Sequence, residues 1–231
     1  MDAILSLLDV NQTLFTVFDY PMSYIEFFGT MLNLIAVWLV AKNNIWTWPI
    51  GNIAVVLFGI LFFQIQLYSD FFEQIYYLIT GFYGWAVWLA LRRNKKDKTK
   101  NDEDDVITYN TQTNNMRYLG VIAIGTLVMG YLISNIHIYL PQYFVEPASY
   151  AYLDAFTTVM SFVANILLVH KKINAWYLWI FVDIIGIWLY FVKGVVFVSL
   201  LYLVFLFMAT KGLLNWRKIY LKNKAAKLQT S

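Results

Sequence analysis

The sequence WTWPIGNIAVVLFGILFFQIQL occupies residues 46–67 and contains no Asp, Glu, Lys or Arg. A helix rises about 1.5 Å per residue, so a helix of this length crosses the ~30 Å hydrocarbon core of a bilayer. Trp lies at one end of the stretch, and its indole ring suits the boundary between lipid and water. The stretch therefore predicts a transmembrane helix.

Six further apolar stretches have similar length: residues 24–40, 71–91, 118–138, 151–169, 176–192 and 195–216. Hydrophobic residues make up 60% of the chain and charged residues 13%. In soluble proteins roughly half of the residues are apolar and about a quarter are charged. This chain therefore has too few charged residues to cover a surface in water. We predict an all-α polytopic membrane protein with seven transmembrane helices. The sequence has no cysteine, which excludes disulfides and thiolate metal sites.

The positions of Lys and Arg predict the orientation in the membrane, because cytoplasmic loops are enriched in both. With seven spans and the N-terminus outside, every Lys and Arg except Lys193 falls on the cytoplasmic side. The C-terminus is then inside. The net charge of +3 is therefore interpreted as a topology signal, and we expect no nucleic-acid partner.

Residues 24–88 resemble residues 152–216, first at a shift of 128 and then, after a three-residue insertion in the loop, at a shift of 131. The second shift gives four pairs: Trp48 with Trp179, Asn52 with Asp183, Gly81 with Gly212, and Trp85 with Trp216. One extra span between two three-helix halves gives both halves the same orientation. The pattern predicts a parallel 3+1+3 repeat, as in SWEET-like transporters, which bind substrate near the midplane.

These patterns predict six segments. They are residues 1–22 as a short amino-terminal helix on the membrane surface, 23–91 as the first repeat, 92–116 as a charged and solvated cytoplasmic linker, 117–147 as the connecting helix with its outer loop, 148–216 as the second repeat, and 217–231 as a basic cytoplasmic tail.

Two helix faces combine aromatic rings with polar groups. Helical spacing groups Trp176, Trp179, Asp183 and Tyr190 on one face, and Trp48, Asn52, Gly59, Phe63 and Gln66 on the other. If the faces meet, they form a pocket able to stack on a flat ring and to attract a cationic one. Two alternatives remain open: the Trp residues anchor the membrane interface, and Asp183 is a protonated carboxyl that bonds a neighbouring helix.

The sequence offers no support for an enzyme. No paired carboxylates, His cluster or nucleophile constellation lies at one depth, and no phosphate-binding loop is present. We therefore predict no catalytic residue, no metal site and no cofactor. A seven-helix receptor remains an alternative, although the short outer loops and the repeat argue against it.

Two motifs carry a family resemblance. Trp46-Thr47-Trp48-Pro49-Ile50-Gly51-Asn52 opens the second span, and Trp176-Tyr177-Leu178-Trp179 is followed by Asp183, Leu189-Tyr190 and Lys193-Gly194. From about residue 24 to residue 216 the chain resembles the PnuC family of bacterial vitamin transporters, in particular the nicotinamide riboside type.

The resemblance implies facilitated diffusion of nicotinamide riboside, an NAD precursor, through the bacterial inner membrane, with alternating access and capture inside by a phosphorylating enzyme. It also implies a SWEET-like fold and a homotrimer in the lipid bilayer. The pyridinium ring of this solute is flat and cationic, which suits the aromatic faces. Relatives carry riboflavin or thiamine, so another vitamin or a sugar remains an alternative solute.

Overall fold

The structure is a computed structural model that describes residues 7–17, 20–65, 68–93, 107–142, 148–192, 194 and 196–230. The chain divides into two compact units, Met1–Asp104 (unit 1) and Asp105–Ser231 (unit 2). The described elements are two short strands and eight helices. The helical class predicted from the apolar stretches is confirmed.

Unit 1 contains three long helices: α1 is Tyr24–Ala41, α2 is Thr47–Gln64, and α3 is Tyr68–Arg93. Helix α2 packs against both α1 and α3. Small residues bring α1 and α2 together, since a Cβ atom on Gly51 would lie 3.5 Å from the Cβ of Ala36. The Thr47 hydroxyl donates to the Ala36 carbonyl at 2.9 Å, which satisfies a buried polar group at the start of α2.

The chain before α1 forms a β-hairpin. Strand β1, Thr13–Val17, pairs antiparallel with β2, Tyr20–Ser23. The predicted surface helix is therefore wrong for this part of residues 1–22, and residues 1–6 lie outside the described chain. Thr, Phe and Val favour strands, and Pro21 lacks the N–H that a helix interior needs. Ser23 then caps α1, because its Oγ accepts from the Glu26 N–H at 3.4 Å.

Unit 2 contains α4 (Gln112–Ser134), α5 (Ile136–Tyr139), α6 (Ala151–Val169), α7 (Asn174–Val192) and α8 (Val196–Thr230). Helix α7 packs against both α6 and α8, and α4 packs against α6. Where α4 meets α6, the Tyr152 ring of α6 lies directly on Gly130 of α4. The residues predicted as a basic tail continue α8 as far as Thr230.

The turn before α2 and the turn before α7 have the same geometry. Asn43 has a φ of 55° and Lys171 a φ of 51°, a left-handed conformation uncommon in residues other than glycine. The N–H of Asn44 donates to the carbonyl of Leu39, and the N–H of Lys172 to that of Leu167. Each residue of the first turn has its counterpart 128 positions later in the second turn, so the two turns have equal length.

Six helices in the described chain are long and apolar enough to cross a membrane: Tyr24–Ala41, Thr47–Gln64, Gln112–Ser134, Ala151–Val169, Asn174–Val192 and Val198–Ala226. The seventh predicted span, residues 71–91, lies in α3, which is a 26-residue helix but is not one of the six. Helix α3 begins with Asp70 and Glu73 and is rich in Tyr, so its mean hydropathy is lower.

The predicted linker, residues 92–116, is only partly described. Helix α3 ends at Arg93, residues 94–106 lie outside the described chain, and α4 begins at Gln112. Ile107 is not solvated as predicted, since it is 1% exposed, and residues 108–110 are half-buried, whereas Thr111 is exposed. Thr108 pairs with the chain at Lys172, donating to the Lys171 carbonyl at 3.2 Å and accepting from the Ile173 N–H at 3.0 Å. An apolar side chain and a strand-like backbone pairing explain why this part of the linker is ordered.

Candidate functional site

In unit 1 the Trp48 side chain lies between α2 and α3. The far edge of its indole ring rests on Gly84 so closely that a Cβ atom at residue 84 would overlap it. The Trp48 and Trp88 rings meet edge to face, with centroids 5.5 Å apart and planes at 87°. Trp48 is 7% exposed. Trp48 therefore fills the contact between α2 and α3.

Trp176 has the same surroundings in unit 2. Its ring edge rests on Gly212 of α8, where a Cβ atom would again overlap it. The Trp176 and Trp216 rings meet edge to face, with centroids 5.5 Å apart and planes at 84°. Trp176 is 1% exposed, so it contacts protein on nearly all sides. Of the residues predicted on the α7 face, Trp176 is the one most enclosed by helix packing.

These contacts correct the predicted register of the second helix in each half. Trp48 and Trp176, Gly84 and Gly212, and Trp88 and Trp216 make matching contacts, and the members of each pair are 128 residues apart. The loop contains no three-residue insertion, because the two turns have equal length. The predicted pairs at a shift of 131 are therefore wrong: Asn52 corresponds to Ile180, and Asp183 corresponds to Val55.

Asn52 lies one helical turn after Trp48 and faces α3. Its side-chain oxygen rests on Gly81, where a Cβ atom would collide with it. Asn52 is 8% exposed, and its Nδ2 atom has no acceptor within the described part of the chain. A buried amide group without a partner is costly, so such a group is a candidate for binding a solute.

Trp179 and Asp183 lie one turn apart on α7. The Trp179 Nε1 atom is buried and has no acceptor among the residues that the structure describes. Asp183 is 3% exposed, and it lies within one of the six apolar helices. Ionisable residues at such positions are expensive and typically mark a pathway for a solute or an ion.

The α7 face continues from Asp183 through Gly186 to Tyr190 in helical steps, and Tyr202 of α8 packs against it. Its ring rests on Gly186, where a Cβ atom would overlap it. The Tyr190 and Tyr202 rings stack with centroids 5.3 Å apart and planes at 23°. From the sequence, Tyr202 is only one of several residues that could line a path, because helical spacing within α7 cannot place it on this face. A glycine midway between Asp183 and Tyr190 was the signal that a ring from another helix fits there.

Of the two remaining predicted site residues, Phe63 lies away from Asn52, and Gln66 lies outside the described residues. Phe63 is 11 residues after Asn52, which places it about 16 Å farther along α2. It is 58% exposed and its ring lies 5.6 Å from that of Phe71. The structure therefore groups Trp48 with Asn52 in unit 1, and Trp179 with Asp183 and Tyr190 in unit 2.

Comparisons with known proteins identify the family. The profile of the nicotinamide mononucleotide transporter family matches residues 23–218. The nicotinamide riboside transporter PnuC of Escherichia coli K12 is 27% identical over 212 residues, which cover 85% of this chain and 86% of that protein. The riboflavin/roseoflavin transporter RibM of Streptomyces davaonensis is 24% identical over 208 residues, which cover 90% of this chain and 91% of that protein.

A solved structure also matches. The crystal structure of the vitamin B3 transporter PnuC superposes with a TM-score of 0.64 at 22% identity, covering 87% of this chain and 83% of that chain. At this identity the match supports the fold. Together with the apolar helices and the family profile, it leads to one conclusion: the chain belongs to the PnuC family, and it is a multi-pass membrane vitamin transporter of the bacterial inner membrane, not an enzyme.

Proposed function

We propose that this protein takes up nicotinamide riboside by facilitated diffusion with alternating access. The strongest support is the α7 face, where the buried carboxyl of Asp183 lies beside Trp179 and in line with the stacked rings of Tyr190 and Tyr202. A flat cationic pyridinium ring is attracted both by aromatic faces and by a carboxylate. The nicotinamide riboside transporter of E. coli supports the same solute.

Asn52 supplies the complementary chemistry in unit 1. Its buried Nδ2 group can donate to a hydroxyl or carboxamide oxygen of the solute. We propose that Asn52, Trp179, Asp183 and Tyr190 contact the solute during its passage. Trp48 and Trp176 are proposed to act mainly by holding their helices together, because each is enclosed by a glycine and a second Trp. Phe63 and Gln66 are proposed to contact the solute near the end of α2.

Riboflavin is the second candidate solute, and thiamine and simple sugars are further alternatives. The observation that favours riboflavin is the match to RibM, which covers nine-tenths of both chains. The ring system of riboflavin is also flat, but it is neutral. A carboxylate attracts a cationic ring more strongly than a neutral one, so Asp183 favours nicotinamide riboside.

We further propose seven spans in a 3+1+3 arrangement, with α3 as the third span, the N-terminus outside and the C-terminus inside. Matching turns and matching Trp–Gly contacts at a constant spacing of 128 residues support a parallel repeat. Lys and Arg at the ends of the spans support the orientation. A homotrimer and trapping of the solute by phosphorylation, leading to NAD, complete the proposal.

Counterflow in proteoliposomes tests the solute. Vesicles loaded with unlabelled nicotinamide riboside should accumulate the labelled compound transiently, and Trp179→Ala should abolish this exchange without loss of folding. Loading with riboflavin, thiamine or glucose serves as the matched comparison. Exchange with riboflavin alone would reassign the solute, and exchange with none of the four would contradict the proposal. Accumulation driven by a pH gradient would contradict facilitated diffusion.

A further inference from the structure

The amino-terminal segment, defined as residues 7–17 and 20–23, is held on the end of unit 1 where α1 begins and α2 ends. Gln64, the last residue of α2, bonds two backbone groups of this segment. Its Nε2 donates to the Leu8 carbonyl at 2.7 Å, and its Oε1 accepts from the Val10 N–H at 2.9 Å. One side-chain amide thus holds two backbone groups of the turns at residues 8–11, which precede β1.

The segment has a fixed base and an exposed remainder. Met22 and Ser23, which lead directly into α1, are 4% and 2% exposed. Earlier in the segment, Asn11, Gln12 and Thr13 are exposed, and Phe15 is 40% exposed. A two-stranded hairpin has little stability of its own in water. The contacts that keep this segment in place are therefore the ones that it makes with α1 and with Gln64.

The polar contacts of the segment with α1 and α2 are accessible to solvent. Besides the two bonds of Gln64, the Tyr24 N–H donates to the Gln12 carbonyl at 3.2 Å, the Tyr20 hydroxyl donates to the Glu26 carboxylate at 2.8 Å, and the Phe15 ring meets that of Phe27 at 5.4 Å. Hydrogen bonds that can be exchanged for bonds to water contribute little net stability. The segment can therefore separate from the end of α2 without disrupting the buried contacts of the helices.

We propose that the amino-terminal segment is a reversible lid on this end of unit 1, that the Gln64 side chain is its latch, and that the lid must open for solute to pass. That the lid must open for solute rests on the proposed transport function, and the proposed orientation of the protein puts this end of unit 1 outside the cell. The Gln64 amide is committed to the backbone of the lid, so it acts on the solute only by positioning the lid.

Amide hydrogen exchange tests the latch without any solute. In Gln64→Ala the peptide that contains Val10 should exchange at least tenfold faster than in the unchanged protein. Gln64→Glu, which keeps the acceptor for Val10 but replaces the donor to Leu8, should give an intermediate rate. Gln74→Ala is the matched control, because the Gln74 amide bonds the carbonyl of Asp70 in its own helix. Equal exchange in Gln64→Ala and Gln74→Ala would overturn the latch.

The absence of cysteine in the sequence allows a direct test of opening. Val10→Cys and Gln64→Cys, combined and joined by a reducible bis-methanethiosulfonate reagent, should lose at least nine-tenths of the counterflow rate and regain it on reduction. Each single cysteine treated with the same reagent is the control. Full counterflow in the cross-linked protein would overturn the lid. If the unchanged protein exchanges no solute, the proposed function fails, and the amide exchange rate of Val10 alone then tests the latch.

Discussion

In unit 1 the ring of Trp48 rests on Gly84 and meets Trp88 edge to face, and in unit 2 the ring of Trp176 rests on Gly212 and meets Trp216 in the same way. The turns before these helices also match, down to the left-handed backbone of one residue in each. The polar residues do not match. Asn52 stands where unit 2 has Ile180, and Asp183 stands where unit 1 has Val55.

This difference distinguishes the residues that pack the helices together from the polar residues that packing does not explain. A Trp ring on a glycine fixes how closely two helices approach, and that contact is common to both units. A buried polar group is costly to desolvate, so packing alone does not explain why a polar rather than an apolar side chain lies at such a place. Asn52 and Asp183 each occur in one unit only, so the packing that the two units share explains neither residue.

Exchanging the polar residues for their counterparts should have the largest effect. Asn52→Ile gives unit 1 the residue of unit 2, and Asp183→Val gives unit 2 the residue of unit 1. Each should lower counterflow at least ~100-fold, a loss of about 2.7 kcal/mol of transition-state stabilisation. The thermal unfolding temperature in detergent should stay the same or rise, because an apolar group replaces a buried polar one. Normal counterflow in either variant would remove that residue from the site.

Filling the glycine positions should destabilise both units to a similar degree. Gly84→Ala and Gly212→Ala each place a methyl group against a buried indole ring, and overpacking of this kind costs about 1–3 kcal/mol. Thermal unfolding in detergent measures the effect. Gly120→Ala is the control, because no other side chain in the described part of the chain lies within 4 Å of the added methyl group, and it should not destabilise. A loss confined to one unit would show that the two Trp contacts are not equivalent.

The apolar stretches predicted helices at all seven places, because a long run with at most one charged residue leaves few alternatives to a helix. The register between the halves could not be predicted as well. Each half has two Trp residues near the start of its central helix, so matching Asn52 to Asp183 seemed to require an insertion. The contacts with Gly84 and Gly212 decide the register, and such contacts between helices become visible only in three dimensions.

The predicted site shows the same limit. Helical spacing groups Trp179, Asp183 and Tyr190 on one face, and this grouping needs only that the residues be helical, as they are in α7. It could not reveal Tyr202, which reaches the face from α8, nor that Gln64 bonds the chain near Leu8. The hairpin was missed because its apolar residues also fit a helical spacing, and the pairing of two strands depends on contacts that no single segment encodes.

The segments at the start of the two units are also held differently: the amino-terminal segment by Gln64, and residues 107–111 by contacts that include Asn174. A substitution of Asn174 tests this difference. Its Oδ1 accepts from the Asn110 N–H at 2.8 Å and its Nδ2 donates to Asn115 Oδ1 at 3.3 Å. Asn174→Ala should cost about 1 kcal/mol and speed amide exchange at Asn110. Asn11→Ala, whose exposed side chain donates to nearby Asp9, is the control and should change neither value. Unchanged exchange at Asn110 would mean that Ile107 and the backbone pairing of Thr108 hold this segment without Asn174.

The smallest expected effect concerns Tyr20 in the amino-terminal segment. Partial burial, followed by its hydrogen bond to Glu26 at 2.8 Å, raises the pKa of the Tyr20 phenol from 10.0 to about 12. Because the folded pKa is the higher one, the stabilisation from this contact is complete below pH 10 and is lost as the pH rises towards 12.

The difference in absorbance at 295 nm between the unchanged protein and Tyr20→Phe isolates this one phenol. Its titration should have a midpoint near pH 12 while the lid is closed. In Gln64→Ala, where the segment is released, the midpoint should move towards the ordinary tyrosine value because Tyr20 then becomes more solvated. The same midpoint with and without the Gln64 amide would show that the base of the hairpin, through Ser23 and Glu26, holds Tyr20 by itself.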